Sequence, residues 1–208
     1  MIKTNPKKVK DFFETSHQNI VIDDTRKDLL TKIANKIAAN YSNGIVNINF
    51  ICTHNSRRSQ LGQVWSFFAA DYFNLPINAF SGGTEVTAFH RNTVKTLTEV
   101  GFKFEVVEFS HTNPTYKIFF SDDKPFLVGF SKLYDHPENK TPYFVLTTCN
   151  NADENCPFIP EAIERFHVPY IDPKHSDDTD SQDETYLKTS EIIAAQMYYL
   201  FDKVKTLL

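Results

Sequence analysis

The chain has 208 residues, of which 41% are hydrophobic and 23% are charged, and its formal net charge is −4. This length and composition predict a globular protein with a sizeable core and exclude a disordered or fibrous chain. The slightly acidic balance gives no overall attraction to nucleic acid or to an anionic membrane, so neither is an expected partner. No stretch approaches the roughly 18 apolar residues that would span a bilayer, and we expect a cytoplasmic protein.

Helical and strand patterns alternate along the chain, which predicts an α/β fold with a parallel sheet. Functional sites in such folds lie at the carboxyl ends of the strands. The predicted elements are, in order, a helix over Asp23–Asn43, a strand over Ile45–Ile51, a helix that begins near Ser59, a strand over Ile77–Ser81, a helix over His90–Gly101, a strand over Tyr143–Thr148, a short helix over Pro160–Phe166 and a closing helix over Glu184–Val204.

The middle of the chain has a different pattern. Thr115–Asp135 predicts two strands around the turn "SDDK", an inserted β-hairpin. We interpret residues 1–44 as an N-terminal helical extension and residues 45–208 as one α/β domain that carries the hairpin insertion at about residues 112–140.

The stretch "CTHNSRRSQ" joins the first predicted strand of the sheet to the helix that follows. Cys52 lies there beside the unpaired N–H groups and the positive end of that helix, and Arg57 and Arg58 add two cations. Arg58 offers two parallel donors to the oxygens of a tetrahedral anion. All of these effects favour a thiolate. The loop therefore predicts an oxyanion site above a nucleophilic sulfur, with a buried structural cysteine as the alternative. The candidate anion-binding residues are Thr53, His54, Asn55, Ser56, Arg57, Arg58 and Ser59.

"CTHNSRRSQ" also resembles the signature loop of the low-molecular-weight protein tyrosine phosphatase superfamily. Three further stretches resemble the branch of thioredoxin-coupled arsenate reductases: "SGGTEV" at 81–86, "LTTCNNADENCP" at 146–157 and "YIDP" at 170–173. The resemblance extends from about Val46 to the C-terminus and is interrupted by the hairpin. It implies a three-layer α/β/α fold with a central parallel sheet.

The resemblance also implies roles for individual residues. Cys52 attacks arsenate that is held by Arg58 and the loop amides, and Asp172 is the general acid. Cys149 then attacks Cys52 and releases arsenite. Cys156 takes over Cys149, and thioredoxin reduces the resulting disulfide. Two further positions, Asn55 and Ser81, match family residues that support the loop by hydrogen bonds.

The number of cysteines separates two branches of this superfamily. A phosphatase of this fold needs one catalytic cysteine, whereas the chain has three cysteines and all three fall on relay positions. Cys149 and Cys156 are seven residues apart, which in a continuous helix separates their Cα atoms by about 10.5 Å. A disulfide needs about 4.4 to 6.8 Å. The segment between them must therefore unwind or loop out when a disulfide forms.

Two residues depart from the family pattern. Arg57 stands where the family usually has a small residue or a cysteine, which predicts extra positive charge at the loop. Gln63 stands where such reductases often have a glutamate that helps to bind potassium, so the sequence does not support a potassium site. We predict no tightly bound cofactor and no metal, because His54, Cys149 and Cys156 lack a fourth ligand.

Other interpretations stay open at this stage. Asp172 followed by Pro173 is also a common turn signal. The loop would equally serve a phosphatase that acts on phosphotyrosine or a small phosphate monoester. A non-enzymatic module that binds an oxyanion or senses oxidants is the third possibility. In each case the expected ligand is arsenate, phosphate or sulfate.

Overall fold

The structure, a computed structural model, describes residues 4–41, 44–155 and 158–208. The described elements are, in chain order, α1 Pro6–Asn19, α2 Asp24–Asn40, β1 Val46–Cys52, α3 Arg58–Tyr72, β2 Ile77–Gly83, α4 Arg91–Glu99, β3 Lys103–Glu108, β4 Thr115–Phe119, β5 Leu127–Gly129, β6 Tyr143–Thr147, α5 Asn150–Asn155, β7 Ala162–His167 and α6 Gln182–Leu207. A short 3₁₀ turn, Pro173–Ser176, precedes α6. No helix within the described ranges is both long enough and apolar enough to cross a bilayer.

Four strands form a parallel sheet in the order β2-β1-β6-β7. β1 pairs with β2 from Val46 to Cys52, and with β6 on its other side. The chain thus leaves the central pair of strands in opposite directions, which makes the carboxyl ends of β1 and β6 the topological switch point of the sheet. Cys52 ends β1, and Cys149 follows two residues after β6.

Alternate side chains of the strands enter two separate buried clusters. On one face, Ile48 and Phe144 belong to the cluster that includes Leu30 of α2, Trp65 of α3 and Met197 of α6. On the other face, the smaller cluster is formed by Ile51, Cys52, Tyr143, Val145, Cys149, Ala152 and Ile159. The predicted α/β/α arrangement is confirmed, and the second outer layer consists of the short helix α5 and irregular segments.

The N-terminal region contains one helix more than the sequence predicted. The predicted helix corresponds to α2, and residues 42–43 lie outside the described residues. α1 was not predicted, because its stretch is basic and has no apolar run. Val9 and Phe13 are nevertheless fully buried, and the ring of Phe13 stacks on Trp65 at 5.8 Å. The domain boundary at residue 44 stays a prediction.

The predicted hairpin is present as β4 and β5, which pair antiparallel. A third strand, β3, also pairs with β4 and completes a separate three-stranded sheet. The predicted hairpin therefore adds two strands to β3, and the three strands form a sheet that is separate from the parallel one.

The helix predicted over Pro160–Phe166 is wrong. Ala162–His167 is β7, which runs parallel to β6 at the edge of the sheet. Ala162, Ile163 and Phe166 have helical spacing, but the hydrogen bonds offered by β6 outweigh that local preference. Phe166 is buried against the sheet, whereas Ile163 is exposed.

Candidate active site

Residues 53–57, which we call the anion loop, join β1 to α3. Asn55 holds its shape from a left-handed backbone conformation, with φ of +46°. The buried side chain of Asn55 donates from Nδ2 to Ser59 Oγ at 2.9 Å and accepts from the backbone N–H of Lys132 at 2.9 Å. Gln60 Nε2 donates to the carbonyl oxygen of Asn55 at 3.0 Å. The loop is thus fixed by the side chain of Asn55 together with partners outside the loop, in α3 and at Lys132.

The sulfur of Cys52 lies at the base of the anion loop, and only 4% of this residue is exposed. Ser59 Oγ is 3.1 Å from the sulfur. Because Ser59 Oγ already accepts a hydrogen bond from Asn55, its own proton is available to the sulfur. A hydroxyl donor stabilises a thiolate more than a thiol. The arrangement therefore suits a nucleophilic cysteine.

The end of β2 approaches the anion loop closely. The backbone N–H groups of Thr84 and Glu85 donate to the carbonyl oxygens of Cys52 and Thr53, at 3.3 and 2.8 Å. A Cβ atom at Gly83 would lie 2.7 Å from the oxygen of Thr53 and 2.8 Å from the nitrogen of Asn55. Such contacts are too short for any side chain, so the glycine permits the approach.

The segment after the hairpin also supports the loop, and sequence reasoning missed it. Ser131 Oγ donates to the carbonyl oxygen of His54 at 2.9 Å, across 77 positions of the chain. Lys132 offers its backbone N–H to Asn55, and the carbonyl oxygen of Phe130 accepts from Gln60 at 2.9 Å. No local pattern in the sequence could have indicated these long-range contacts.

Arg58 lies between the anion loop and Asp172. Its Nη2 is 2.5 Å from Asp172 Oδ2, and its Nη1 donates to the carbonyl oxygen of Tyr170 at 3.1 Å. The Nε–H of Arg58 is buried and has no hydrogen-bond partner among the described residues. The structure therefore brings the predicted anion-binding cation and the predicted general acid together, and Asp172 occupies the Nη2 donor of this cation.

The side chain of Arg57 does not line the loop as predicted. Its guanidinium donates to Tyr186 Oη at 2.6 Å and to Asp177 Oδ2 at 2.6 Å. Burial alone would raise the pKa of Asp177, but the hydrogen bond from Tyr186 and the charge of Arg57 outweigh it and lower this pKa. The extra positive charge that the sequence predicted is therefore paired with a carboxylate, because a largely buried guanidinium needs such a partner.

The other loop residues have distinct surroundings. The imidazole of His54 is partly exposed, with Nε2 3.4 Å from Glu85 Oε2. The buried Ser56 accepts from the backbone N–H of His90 at 3.0 Å through its carbonyl oxygen. Thr53 Oγ1 donates to Asn151 Oδ1 at 3.1 Å and lies 3.5 Å from the sulfur of Cys149.

Cys149 lies in the same buried cluster as Cys52, and only 5% of it is exposed. Both cysteines are free thiols. The sulfur of Cys149 accepts a hydrogen bond from the backbone N–H of Ala152 at 3.4 Å. The ends of the two strands stay together because the N–H of Thr148 donates to the carbonyl oxygen of Ile51 at 2.7 Å. Cys156, the third predicted relay residue, lies outside the described residues.

The short helix α5, which follows Cys149, is anchored to β7 by Asp153. Its carboxylate accepts from Thr147 Oγ1 at 2.7 Å and forms an ion pair with Arg165 at 3.0 Å. Burial alone would raise the pKa of Asp153, but these two hydrogen bonds and the nearby His167 lower it. The helix between the two distal cysteines is therefore held by ionic contacts rather than by a large apolar face.

Ser81 and Gln63 interact with each other. Ser81 Oγ donates to Gln63 Oε1 at 2.6 Å, and Gln63 Nε2 donates to the carbonyl oxygen of Ala79 at 3.2 Å. The hydroxyl of Ser81 thus binds α3 rather than the anion loop that it was predicted to support. Within the described part of the chain, no group of three or more His, Cys, Asp or Glu side chains is placed to hold a metal ion.

No protein-family model matches the chain. An arsenate reductase of Staphylococcus aureus (strain Newman) is 30% identical to it over 128 residues, which are 61% of this chain and 77% of the relative. The chain belongs to the arsenate reductase family. Another family member, the arsenate reductase of Bacillus subtilis (strain 168), is 29% identical over 135 residues, 65% of this chain and 79% of the relative. A crystal structure of a YwlE mutant from Bacillus subtilis shows the same fold, with a TM-score of 0.50, 16% identity, and coverage of 77% of this chain and 99% of that one.

Proposed function

We propose that the protein reduces arsenate to arsenite, with Cys52 as the nucleophile and Cys149 as the second thiol. One observation carries the proposal: two free, buried thiols lie at the carboxyl ends of adjacent parallel strands and share one cluster beside the anion loop. A phosphatase needs only the first of these sulfurs. The second has a chemical use in a reaction that ends in a disulfide, and membership in the arsenate reductase family supports this choice.

In the first step, the Cys52 thiolate attacks the arsenic atom of arsenate. An As–S bond forms and one oxygen leaves as water after Asp172 has protonated it. Arg58 and the loop N–H groups bind the remaining oxygens. The ion pair between Arg58 and Asp172, 2.5 Å long, supports the assignment of Asp172 as the acid, because it keeps this carboxyl group beside the anion-binding guanidinium.

In the second step, the thiolate of Cys149 attacks the sulfur of Cys52. The As–S bond breaks and its electron pair stays on arsenic, so As(V) becomes As(III) and leaves as arsenite. The two thiols are oxidised to a Cys52–Cys149 disulfide, which balances the two electrons.

In the third step, the thiolate of Cys156 attacks Cys149 and regenerates Cys52 as a thiolate. This requires that α5 move, because a helix spacing of seven residues is too long for a disulfide. Thioredoxin, a dithiol donor, then reduces the Cys149–Cys156 bond. The cycle needs free thiols between turnovers, so the proposal includes the reducing cytoplasm as its compartment.

The test is a coupled assay in which thioredoxin, thioredoxin reductase and NADPH drive turnover of arsenate. We expect arsenate-dependent NADPH oxidation by the wild type and its loss in Cys52→Ser, Cys149→Ser and Cys156→Ser. One equivalent of arsenate should trap a Cys52–Cys149 disulfide in Cys156→Ser and a Cys149–Cys156 disulfide in the wild type, as read by mass mapping.

The same assay separates the alternatives. Hydrolysis of p-nitrophenyl phosphate that survives Cys149→Ser, without arsenate-dependent NADPH oxidation, would identify a phosphatase. Negligible turnover of both substrates, together with a reversible disulfide after peroxide treatment, would identify a redox-sensing module. Replacing thioredoxin with glutathione and glutaredoxin tests the electron donor separately.

A further inference from the structure

We propose that Arg57 is a positioning residue for the general acid: by binding Asp177 it fixes the segment that carries Asp172 beside the anion loop. This inference rests on the proposed function, because it assigns Asp172 the role of acid. We call residues 172–177 the acid segment.

The acid segment is short and internally braced. Asp172 Oδ1 accepts from the backbone N–H of Lys174 at 3.0 Å, and the N–H of Asp177 donates to the carbonyl oxygen of Lys174 at 3.0 Å. The 3₁₀ turn Pro173–Ser176 lies between the two aspartates, so a force that holds Asp177 also limits the position of Asp172.

Two adjacent arginines hold the two ends of this segment. Arg58 binds Asp172 and Arg57 binds Asp177, at 2.5 and 2.6 Å. The first pair cannot persist through the reaction, since Arg58 must turn to the oxyanion and Asp172 must carry a proton to act as an acid. The pair of Arg57 and Asp177 then becomes the ionic tie between the acid segment and the anion loop.

The ion pair of Arg57 and Asp177 is more strongly held than an exposed pair. Tyr186 completes it, because its hydroxyl accepts from Arg57 Nε and donates to Asp177 Oδ1, both at 2.6 Å. The side chains of Arg57 and Asp177 are 10% and 20% exposed. The neighbouring pair of Arg91 and Asp178 is 79% and 82% exposed, and exposed ion pairs contribute little. Because the hydrogen bond from Tyr186 and the charge of Arg57 outweigh burial and lower the pKa of Asp177, the carboxylate stays ionised to a more acidic pH than an ordinary aspartate does.

The test compares Asp177→Asn with Asp178→Asn, a matched change one residue further along the chain. Because the first variant leaves Arg57 intact, it loosens the acid segment without removing a cation. With arsenate we expect kcat to fall about tenfold and KM to stay within about twofold, since general acid catalysis depends on placement. Asp178→Asn should match the wild type. Arg57→Lys, which keeps the charge, should recover part of the kcat that Arg57→Ala loses.

A second measurement does not depend on turnover. Hydrogen exchange of the backbone amides from Lys174 to Asp177 should be faster in Asp177→Asn than in Asp178→Asn or the wild type. If the wild type does not reduce arsenate, the proposed function fails, and the exchange experiment alone decides the positioning.

Several outcomes would overturn the inference. Unchanged exchange in Asp177→Asn would show that Arg57 does not hold the segment. Faster exchange with an unchanged kcat would show that the tie has no catalytic effect. A raised KM in Arg57→Ala with normal kcat, and a normal Asp177→Asn, would mean that Arg57 binds the oxyanion directly.

Discussion

Arg58 and Asp172 form an ion pair with 2.5 Å between Nη2 and Oδ2, so the residue that should bind the substrate anion is held by the residue that should protonate it. Without an anion, the carboxylate neutralises the guanidinium. An incoming oxyanion must therefore compete with Asp172 for Arg58. The two side chains are therefore coupled. A substitution of Asp172 should change both the affinity of Arg58 for an oxyanion and the rate of the reaction.

Asp172→Asn should bind oxyanions more tightly while it reacts more slowly. Removing the carboxylate frees Arg58 and removes a repulsive charge, which at about 1 kcal/mol corresponds to roughly fivefold tighter inhibition by phosphate. Loss of the acid should lower kcat about 100-fold or more. Steady-state arsenate kinetics with phosphate as a competitive inhibitor measure both effects, and Asp178→Asn is the control. Weaker phosphate inhibition in Asp172→Asn would contradict this account of the ion pair.

Ser59→Ala should make Cys52 less reactive. The hydroxyl of Ser59 is 3.1 Å from the sulfur and is placed to donate a hydrogen bond to it. We expect alkylation of Cys52 by iodoacetamide at neutral pH to slow about tenfold, since the thiolate is the nucleophile. Ser66→Ala is a matched control on the same helix, because that hydroxyl donates to Met197 Sδ. Equal alkylation rates in the two variants would exclude a role for Ser59.

Asp153 should stabilise the protein in a pH-dependent way. Its pKa lies below the ordinary value of 3.8, so its stabilisation is complete above that value and is lost as the pH falls through the lowered pKa. At pH 7, Asp153→Asn should lose about 1.5 kcal/mol of unfolding free energy, and the difference from the wild type should shrink below pH 3.8. Urea unfolding across this range is the measurement, with Glu154→Gln as control. A constant difference at all pH values would argue against the ionic anchor.

The same variant bears on the relay. If α5 must leave β7 before Cys156 reaches Cys149, a weaker anchor should speed the exchange from the Cys52–Cys149 to the Cys149–Cys156 disulfide. Rapid quenching and mass mapping after one equivalent of arsenate follow this step. A slower exchange in Asp153→Asn would mean that the anchored helix assists the transfer.

Gly83→Ala should disturb the anion loop more than the overall fold. The new methyl group would meet the backbone of Thr53 and Asn55 at less than 3 Å, so the loop must shift. A shift of about 1 Å at such a site costs roughly 100-fold in turnover. Gly44→Ala is the control, because that glycine has φ of +99° but no atom within 4 Å of the added methyl group. It should lose about 1 kcal/mol of stability and keep its activity. Full activity in Gly83→Ala would refute the crowding argument.

The central unit of the fold was predictable because its signals are local. The alternation of β1, the anion loop and α3 follows from apolar periodicity and from the residues between Cys52 and Ser59. β7 was misread because an edge strand takes its conformation from its neighbour, here β6. α1 was missed because its buried face consists of few residues, chiefly Val9 and Phe13, within a basic stretch.

The residue types of the anion loop could be interpreted from the sequence, but the contacts that its side chains make could not. The pattern between strand and helix indicated Cys52 and Arg58, whereas the roles of Asp172 and Asn55 were implied by the family resemblance and stay predictions. The sequence could not indicate that Arg57 turns to Asp177, 120 residues away, or that Ser131 supports His54. Such pairings depend on which distant segments meet in three dimensions. They decide whether a cation faces a substrate or a carboxylate.

The near-complete burial of Cys52 and Cys149 has a consequence for how electrons leave the protein. In the proposed cycle, a reductant the size of a folded protein would not reach a Cys52–Cys149 bond at this depth, so a third thiol would have to carry the oxidation outward. The burial of Cys52 and Cys149 and the need for a third thiol in the proposed cycle are therefore two results of one packing arrangement.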